Sequence, residues 1–372
     1  MPEIHKVVST VWYNRENYHA LRNVFPEADF VYVPFYDREA LKREAQDADV
    51  AILLGDVDSV LLDSPTLKWI HCDHAGLNGS ARPEVFASGK IVTGSAGRSA
   101  PVLAEHCIYF MLELCYHTKE LLKAQSEGKW GVDESQSWKG LYGRKVGIIG
   151  LGNNGKMLAD RLRAFGMEIY AYDRFPIKGY DFCHKYVESE GDTIDDLLRE
   201  CDFVVLTLAL TNETYHMFNR ETFAKMKQGS YLINMARGGI VDTKDLMAAL
   251  NAGQLAGAGL DVVEEDPLPP DHPLWQMPTV YITPHTTPQV PNRAARSIEI
   301  IRENKEHFLK GEPMRNRLSE RDVVSGNDKP AGGFDRLTHS KLSKEEIERL
   351  PLEKWLGKKG WTDPSEWNYL DS

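Results

Sequence analysis

The stretch Val146-Gly-Ile-Ile-Gly150-Leu-Gly152-Asn-Asn-Gly155-Lys156 decides the fold, because it joins an apolar strand to a helix through a glycine-rich turn. In this pattern Gly150 permits the tight turn, Gly152 lets the backbone approach a pyrophosphate, and Gly155 allows helix and strand to pack closely. The N-terminus of the helix then faces the phosphates. The stretch predicts a dinucleotide site whose residues are Gly150, Gly152, Asn153, Asn154 and Gly155.

The strand that follows this helix ends at Asp173. An acidic residue at that position accepts hydrogen bonds from the adenosine ribose hydroxyls and repels a 2′-phosphate. The pattern therefore predicts NAD rather than NADP. Arg174 leaves NADP open as the less favoured cofactor, because an arginine there can bind the extra phosphate.

Apolar runs alternate with helical patterns on both sides of the motif. Downstream, the strand candidates are Lys145–Ile149, Glu168–Tyr172, Phe203–Leu208, Ser230–Met235, Ala256–Asp261 and Val280–Thr283. Upstream, they are Val7–Thr10, Phe30–Val33, Val50–Leu54, Trp69–Cys72 and Ile91–Thr93. Such alternation predicts an α/β fold with two Rossmann-like domains, each a doubly wound parallel sheet.

A long helical pattern at Asn292–Leu309 ends before Gly311, and we expect the chain to return there to its first domain. The predicted domains are a discontinuous flavodoxin-like substrate domain (1–101 and 296–318), a dinucleotide-binding domain (102–295) and a C-terminal extension (319–372). Trp355, Trp361 and Trp367 make the extension too aromatic for simple disorder, so we expect it to pack on the body or on a partner subunit.

Composition excludes several classes of function. A net charge of −11 over 372 residues argues against nucleic acid as a partner. No apolar run approaches the length of a membrane span, and residues 1–8 have no secretory signature. The five cysteines form no CxxC pair and indicate reduced, mostly buried thiols, and no pattern resembles a metal site. We expect a cytoplasmic protein without membrane or nucleic-acid partners.

Two polar residues follow apolar strands late in the chain. Arg237 comes just after Ser230–Met235, where its guanidinium is suited to bind a carboxylate and polarise the adjacent carbonyl, although an arginine in a surface turn would look the same. His285 follows Val280–Thr283 and is suited to move a proton, although a structural histidine would also fit.

An acidic turn, Asp261-Val-Val-Glu264-Glu265-Asp266-Pro267, lies between these two residues. A carboxylate beside His285 would orient its ring and keep it protonated for reduction. The residues alone leave open which of the four acids faces the histidine, and a solvated acidic loop is also compatible with the pattern.

Together these motifs resemble the D-isomer-specific 2-hydroxyacid dehydrogenases over roughly residues 1–318. The resemblance rests on Gly150–Gly155 with Asp173, on 234–242, on 260–274 and on Thr283-Pro-His285. It implies a catalytic set of Arg237, His285 and a carboxylate. The family's usual glutamate falls on Asp266, one methylene shorter, so either Asp266 or Glu265 is expected to pair with His285.

The resemblance also implies further contacts. For the cofactor they add Thr207, Leu208, Thr211, Ala236 and Asp261, the last near the nicotinamide carboxamide. For the substrate they are the backbone N–H groups of the loop Ala75, Gly76 and Leu77, together with Arg237 and His285. The same resemblance implies a homodimer whose arm carries Trp130 and Trp138. The loop at 74–77 is also compatible with a purely structural turn.

The expected activity is reversible hydride transfer between NAD(H) and a small 2-hydroxy acid or its 2-keto acid, with the active site in the cleft between the domains. A different hypothesis keeps the same motifs. The C-terminal-binding corepressors use this scaffold as an NAD-sensing protein-binding module with little turnover. The sequence does not identify the substrate.

Overall fold

The computed structural model describes residues 3–11, 13–133, 135–287 and 290–324. These residues form two compact units. The first contains 3–98 and Pro291–Val323, and the second contains Ser99–Val290. The chain therefore leaves the first unit after Arg98 and returns to it at Pro291. None of the described helices combines the length and apolarity needed to cross a membrane.

The first unit is built on a five-stranded parallel sheet. Its strands are β1 (Lys6–Ser9), β2 (Asp29–Tyr32), β3 (Val50–Leu53), β4 (Trp69–Cys72) and β5 (Ile91–Gly94). Its helices are α1 (Arg15–Arg22), α2 (Arg38–Glu44), α3 (Pro83–Ala87) and α10 (Arg293–Lys310). The strand order β2-β1-β3-β4-β5 is the flavodoxin-like order.

The second unit is built on a seven-stranded parallel sheet. Its strands are β6 (Lys145–Ile149), β7 (Glu168–Asp173), β8 (His184–Val187), β9 (Phe203–Leu206), β10 (Ser230–Asn234), β11 (Leu255–Leu260) and β12 (Val280–Ile282). Its helices are α4 (Ala100–Cys115), α5 (Thr118–Ser126), α6 (Asn153–Ala164), α7 (Ile194–Glu200), α8 (Arg220–Lys225) and α9 (Thr243–Asn251). The order β12-β11-β10-β9-β6-β7-β8 reverses direction between β6 and β9, and the glycine motif follows β6.

Burial on both faces explains why the central strands appear in the sequence as continuous apolar runs. Every residue of β3 and of β9 is buried. Helices pack on each face of the sheets, which shields the strands from water and favours apolar side chains at all positions. The predicted pair of doubly wound parallel sheets is therefore confirmed.

Polar caps and glycines set where the helices begin and end. The side chains of Asp37 and Asp242 accept hydrogen bonds from backbone N–H groups in the first turns of α2 and α9. Such caps satisfy donors that a helix leaves unpaired at its start. At the other end, α10 stops at Gly311, whose φ of 70° is left-handed and suits glycine.

Three local predictions differ from the structure. The strand β8 was not predicted, because it lies at the sheet edge and only Val187 of its four residues is buried. The apolar pattern of Ala100–His117 predicts one helix, whereas α4 ends at Cys115 and a separate helix, α5, begins after His117, whose φ is 48°. The pattern of Asn78–Ser88 also predicts one helix, and the structure has a short 3-10 turn followed by α3. The tryptophans of the C-terminal extension all follow residue 324 and lie outside the described residues, so the expectation that this extension packs on the body or on a partner subunit stays a prediction.

Candidate active site

The glycine turn after β6 has the shape that the sequence predicts. Gly150 has a φ of 95°, and a Cβ on it would lie 2.8 Å from the Leu208 Cα. A Cβ on Gly155 would lie 2.2 Å from the Gly150 carbonyl oxygen. A Cβ on Gly152 would meet nothing within 4 Å, at the point where α6 begins. Two glycines are thus required by packing, while Gly152 leaves open space at a helix N-terminus where a phosphate fits.

Asp173 ends β7 and is tied to the glycine turn. One carboxylate oxygen accepts a hydrogen bond from the Leu151 backbone N–H at 2.8 Å, and the other accepts one from Phe175 at 3.1 Å. The neighbouring Arg174 forms an ion pair with Glu213. The acid is therefore held at the strand end, while the arginine that left NADP open is engaged by a carboxylate.

A cavity of about 260 Å³ lies beside Asp173. Its lining residues are Leu151, Lys156, Asp173, Phe175, Pro176, Ile177 and Lys178. Lys156 belongs to the first turns of α6, and its ammonium lies 5.8 Å from the centre of the Tyr180 ring. The cavity combines an acid, two lysines and apolar walls.

The other predicted cofactor residues gather at the carboxyl ends of the strands. The Thr207 hydroxyl donates to the Gly150 carbonyl at 2.6 Å, which ties the end of β9 to the glycine turn. Thr211 continues that segment, and its N–H donates to the Thr214 hydroxyl at 2.8 Å. Asn153 and Asn154 form the first turn of α6. In open parallel sheets this edge is where ligands bind.

Arg237 follows β10 in extended backbone conformation, with φ −144° and ψ 146°. Its Nη1 donates to the Ala236 carbonyl at 2.7 Å, and its own carbonyl accepts from the Asn234 side chain at 3.0 Å. A Cβ on Gly238 would lie 1.8 Å from the Val263 carbonyl oxygen, so no larger residue fits there. The turn that carries Arg237 is therefore pressed directly against the acidic loop 261–267.

His285 pairs with Asp266. Its Nδ1 lies 2.8 Å from the Asp266 Oδ2, and the two side chains are 31% and 21% exposed. The backbone N–H of His285 donates to the carbonyls of Thr283 and Asp261, at 2.8 and 3.0 Å. The shorter aspartate thus reaches the ring without an intervening water. Nε2 lies on the side of the ring away from the carboxylate.

A second histidine uses another acid of the same loop. The Nε2 of His216 lies 2.5 Å from the Glu264 Oε1, and its Nδ1 lies 3.5 Å from the Asp242 Oδ2. Reasoning from the sequence missed His216, because no motif links it to the acidic loop.

Asp261 supports the segment that contains His285. Its carboxylate accepts hydrogen bonds from the Thr283 hydroxyl at 2.6 Å, the Thr286 N–H at 3.1 Å and the Thr287 hydroxyl at 3.0 Å. These bonds hold the chain on both sides of His285 against the end of β11. The role predicted for Asp261 beside the nicotinamide stays a prediction.

The predicted substrate loop belongs to the first unit and follows β4. The His74 carbonyl accepts a hydrogen bond from the Ser95 N–H at 2.8 Å, and the His74 Nε2 lies 3.5 Å from the Asp56 Oδ1. Leu77 packs into the apolar core of the unit. Because its side chain is packed in the core, Leu77 can contact a ligand only through its backbone. Arg237, Asp266 and His285 lie together in the second unit, and Ala75, Gly76 and Leu77 lie in the first.

The five cysteines are all free and buried, as predicted. Burial raises the pKa of the Cys183 thiol to about 11. A thiol with a raised pKa is a poor nucleophile at neutral pH. In the part of the chain that the structure describes, no group of three or more His, Cys, Asp or Glu side chains is arranged to hold a metal ion.

Comparison with known proteins identifies the class. Residues 108–287 match the family described as D-isomer specific 2-hydroxyacid dehydrogenase, NAD binding domain. A glyoxylate reductase of Korarchaeum cryptofilum is 34% identical over 285 residues, which cover 74% of this chain and 84% of that protein. A glyoxylate reductase of Thermofilum pendens is 34% identical over 297 residues, 77% of this chain and 86% of that one.

A solved structure supports the same assignment. The D-isomer specific 2-hydroxyacid dehydrogenase of Xanthobacter autotrophicus Py2, in complex with NADPH and MES, is similar with a TM-score of 0.72 and 27% identity. The match covers 86% of this chain and 99% of that one. The chain belongs to the D-isomer-specific 2-hydroxyacid dehydrogenase family. It is an oxidoreductase acting on CH–OH groups, with an NAD(P)-binding domain.

Proposed function

We propose that this protein is an NAD-dependent D-2-hydroxyacid dehydrogenase that also runs in reverse as a 2-keto acid reductase. The observation that carries the proposal is the His285–Asp266 pair at 2.8 Å, in which Asp266 belongs to the acidic loop that packs against the turn of Arg237. A proton donor and a carboxylate-binding cation thus follow β12 and β10, the strands on either side of β11, in the unit that contains the glycine motif.

Arg237 binds the substrate carboxylate and polarises the adjacent C2 carbonyl. A guanidinium makes two parallel hydrogen bonds to a carboxylate, which orients the substrate as well as binding it. Asn234 accepts from the Ala236 N–H and donates to the Arg237 carbonyl, so the turn that presents the guanidinium is rigid. Rigid presentation lowers the entropic cost of reaching the reactive geometry.

His285 acts as general acid in reduction and as general base in oxidation. In reduction, its protonated Nε2 donates to the carbonyl oxygen of the keto acid while C2 is reduced, which yields the 2-hydroxy acid. In oxidation, the neutral ring takes the hydroxyl proton back. Asp266 accepts a hydrogen bond from Nδ1, which fixes the ring orientation and stabilises the imidazolium.

The cofactor proposal rests on the fit of the glycine turn and on Asp173. The first turn of α6 and the space beside Gly152 suit the pyrophosphate, and Asp173 suits the ribose hydroxyls of NAD. When bound, the nicotinamide supplies or accepts the hydride. The engagement of Arg174 by Glu213 favours NAD over NADP.

We assign the cofactor and the proton transfer to the second unit and the loop Ala75–Leu77 of the first unit to the substrate carboxylate. We also propose a homodimer. Trp130 and Tyr142 are 104% and 86% exposed, and Tyr116 and Leu122 are more than half exposed. Large apolar side chains grouped in 116–142 are typical of an interface rather than a free surface. Light scattering should give twice the chain mass, and a monomer would contradict this part of the proposal.

The function is tested by following NADH and NADPH oxidation with glyoxylate, hydroxypyruvate, pyruvate and phenylpyruvate. Glyoxylate comes first because both relatives named above are glyoxylate reductases. We expect rapid NADH oxidation with at least one keto acid and slower oxidation of NADPH. Negligible turnover with all four, together with stoichiometric capture of a protein partner, would instead favour the corepressor-like module.

A further inference from the structure

Two buried side chains of the second unit, His106 and Asp261, and two half-buried ones, Thr283 and Thr287, form a closed ring of polar contacts. His106, on α4, is 6% exposed. Its Nε2 lies 3.1 Å from the Thr283 hydroxyl, and its Nδ1 lies 2.9 Å from the Thr287 hydroxyl. The two hydroxyls lie 2.6 and 3.0 Å from the two oxygens of Asp261. Each member of the ring therefore touches two others.

The ring encloses the segment that contains His285. Thr283 precedes His285 by two residues and Thr287 follows it by two, so both ends of the segment are attached to Asp261 and His106. His285 itself has a φ of 54°, in the left-handed region that non-glycine residues rarely adopt. Such a conformation costs free energy and persists only where the surroundings impose it.

We propose that His106 is a positioning residue that sets the orientation of His285 through Thr283, Thr287 and Asp261. The inference rests on the proposed function, in which His285 moves the proton. It makes proton transfer depend on His106, a residue of α4 that does not contact the reacting atoms.

The chemistry of imidazole suits this position. Burial lowers the pKa of His106, so the ring is neutral at neutral pH and has one N–H donor and one bare nitrogen acceptor. Each threonine hydroxyl has one hydrogen, which it donates to Asp261, so the single N–H of the ring donates to one of the two hydroxyls and the bare nitrogen lies in contact with the other. The same ring stacks on Phe110 with centroids 4.7 Å apart, which fixes its plane. An apolar side chain of the same shape would keep the stacking and lose both polar contacts.

Loss of the His106 contacts should displace the segment Thr283–Thr287 without unfolding the protein. Without His106, the two hydroxyls would each lose their contact with the buried ring, and Asp261 alone would hold them. Proton transfer by His285 is sensitive to displacements near 1 Å. Arg237 lies outside the segment Thr283–Thr287, so its binding of the substrate carboxylate should change little.

The kinetic test compares His106→Phe with His106→Gln in the full chain. Phenylalanine keeps the stacking, and glutamine restores a donor and an acceptor on one side chain. For His106→Phe we expect kcat to fall about 10- to 100-fold while the KM for the keto acid and the Kd for NADH stay within about threefold. His106→Gln should recover at least half of that loss on a logarithmic scale.

Thr287→Val covers the case in which His106→Phe does not fold, because it removes one hydroxyl of the ring with little change in shape. Its matched control is Thr93→Val in the first unit. Thr93 is fully buried, and its hydroxyl contacts the His71 Nδ1 at 2.9 Å and the Trp69 Nε1 at 2.8 Å. Both variants lose a hydroxyl that contacts a histidine nitrogen at 2.9 Å, and only Thr287→Val should lower kcat more than threefold.

A spectroscopic readout separates this inference from the proposed function. With ¹⁵N-labelled histidine, the His285 signal is identified by its loss in His285→Ala. We expect a fixed Nδ1–H tautomer in the wild type and averaging of the two tautomers in His106→Phe. An unchanged His285 signal together with unchanged kcat would overturn the positioning role while leaving the function intact. A wild-type protein with a fixed tautomer but no turnover, in which His106→Phe causes averaging, would overturn the function and leave the positioning.

Discussion

Two histidine–carboxylate pairs share the acidic loop 261–267, and on local geometry they are hard to tell apart. His285 meets Asp266 at 2.8 Å with 31% of its side chain exposed, and His216 meets Glu264 at 2.5 Å with 28% exposed. The two pairs differ in the contacts of the second ring nitrogen. A second carboxylate, Asp242, lies 3.5 Å from the Nδ1 of His216, whereas Asp266 takes the Nδ1 of His285 and the Nε2 points away from it.

This difference teaches that pairing with an acid does not by itself make a histidine catalytic. A general acid needs one nitrogen fixed by a partner and the other presented to the substrate. His285 fits this description, and its partner Asp266 belongs to the loop packed against the turn of Arg237. His216 is placed between two acids and is suited to hold the acidic loop in place.

Replacing the histidine of each pair should distinguish the two pairs most clearly. His285→Ala should lower kcat about 10³-fold, which corresponds to about 4 kcal/mol, because it removes the general acid. Arg237→Ala should be similarly severe, since the carboxylate and the carbonyl lose their cation. The matched control is His216→Ala, for which steady-state kinetics should show kcat within threefold of wild type. Equal losses in His285→Ala and His216→Ala would remove the distinction.

A lower pH should reduce the stability of the protein through one buried histidine, His71. Burial lowers the pKa of His71 to about 4 from 6.5, so the folded state prefers the neutral ring. The unfolded state then binds more protons between these values, and stability is complete above pH 6.5 and declines as pH falls towards 4. The expected loss is about 3 kcal/mol from this residue.

Urea unfolding of the wild type and of His71→Gln between pH 7 and 4 measures that loss. Glutamine cannot be protonated, so the variant should lose less stability over the range. A wild-type protein and a variant with parallel pH dependences would show that His71 titrates normally. His216→Gln is the matched control, because it makes the same substitution at a histidine that is partly exposed.

Removing one acid from each pair gives a smaller effect. Asp266→Asn should lower the reduction rate at neutral pH about tenfold, or about 1.4 kcal/mol, and should move the fall in reduction rate to lower pH. The reason is that the neutral amide no longer stabilises the imidazolium that donates the proton. A pH–rate profile checks the change. An Asp266→Asn profile that coincides with that of the wild type would assign the supporting role elsewhere, with Glu265 next in line.

The smallest expected effect concerns the second pair. Glu264→Gln should change the free energy of unfolding by less than about 1 kcal/mol, because both partners are partly exposed and solvent screens their interaction. It should leave kcat and the shape of the pH–rate profile close to wild type. Thermal unfolding and the same kinetic assay test this directly. A shifted pH–rate profile in Glu264→Gln would mean that both pairs act on the reacting proton.

Most of the fold could be predicted, since the central strands of a covered parallel sheet must be apolar at every position. The runs at Val50–Leu53 and Phe203–Leu206 are therefore visible in the sequence. The edge strand His184–Val187 carries no such signal, because only Val187 is buried in it. The helix α5 escaped prediction for a similar reason, because Ala124 is the one buried side chain among its residues and gives no apolar stripe.

The sequence by itself determined the sheet class, the glycine turn, and the candidate roles of Arg237 and His285. Those features follow from local rules: backbone sterics at glycine, burial of strands, and polar residues placed after strand ends. The tertiary structure alone decided that Asp266 pairs with His285 and that Glu264 pairs with His216. It also brought His106 to Thr283 and Thr287, far along the chain. Such choices depend on distances of a few ångströms between loops, which residue spacing along a chain does not specify.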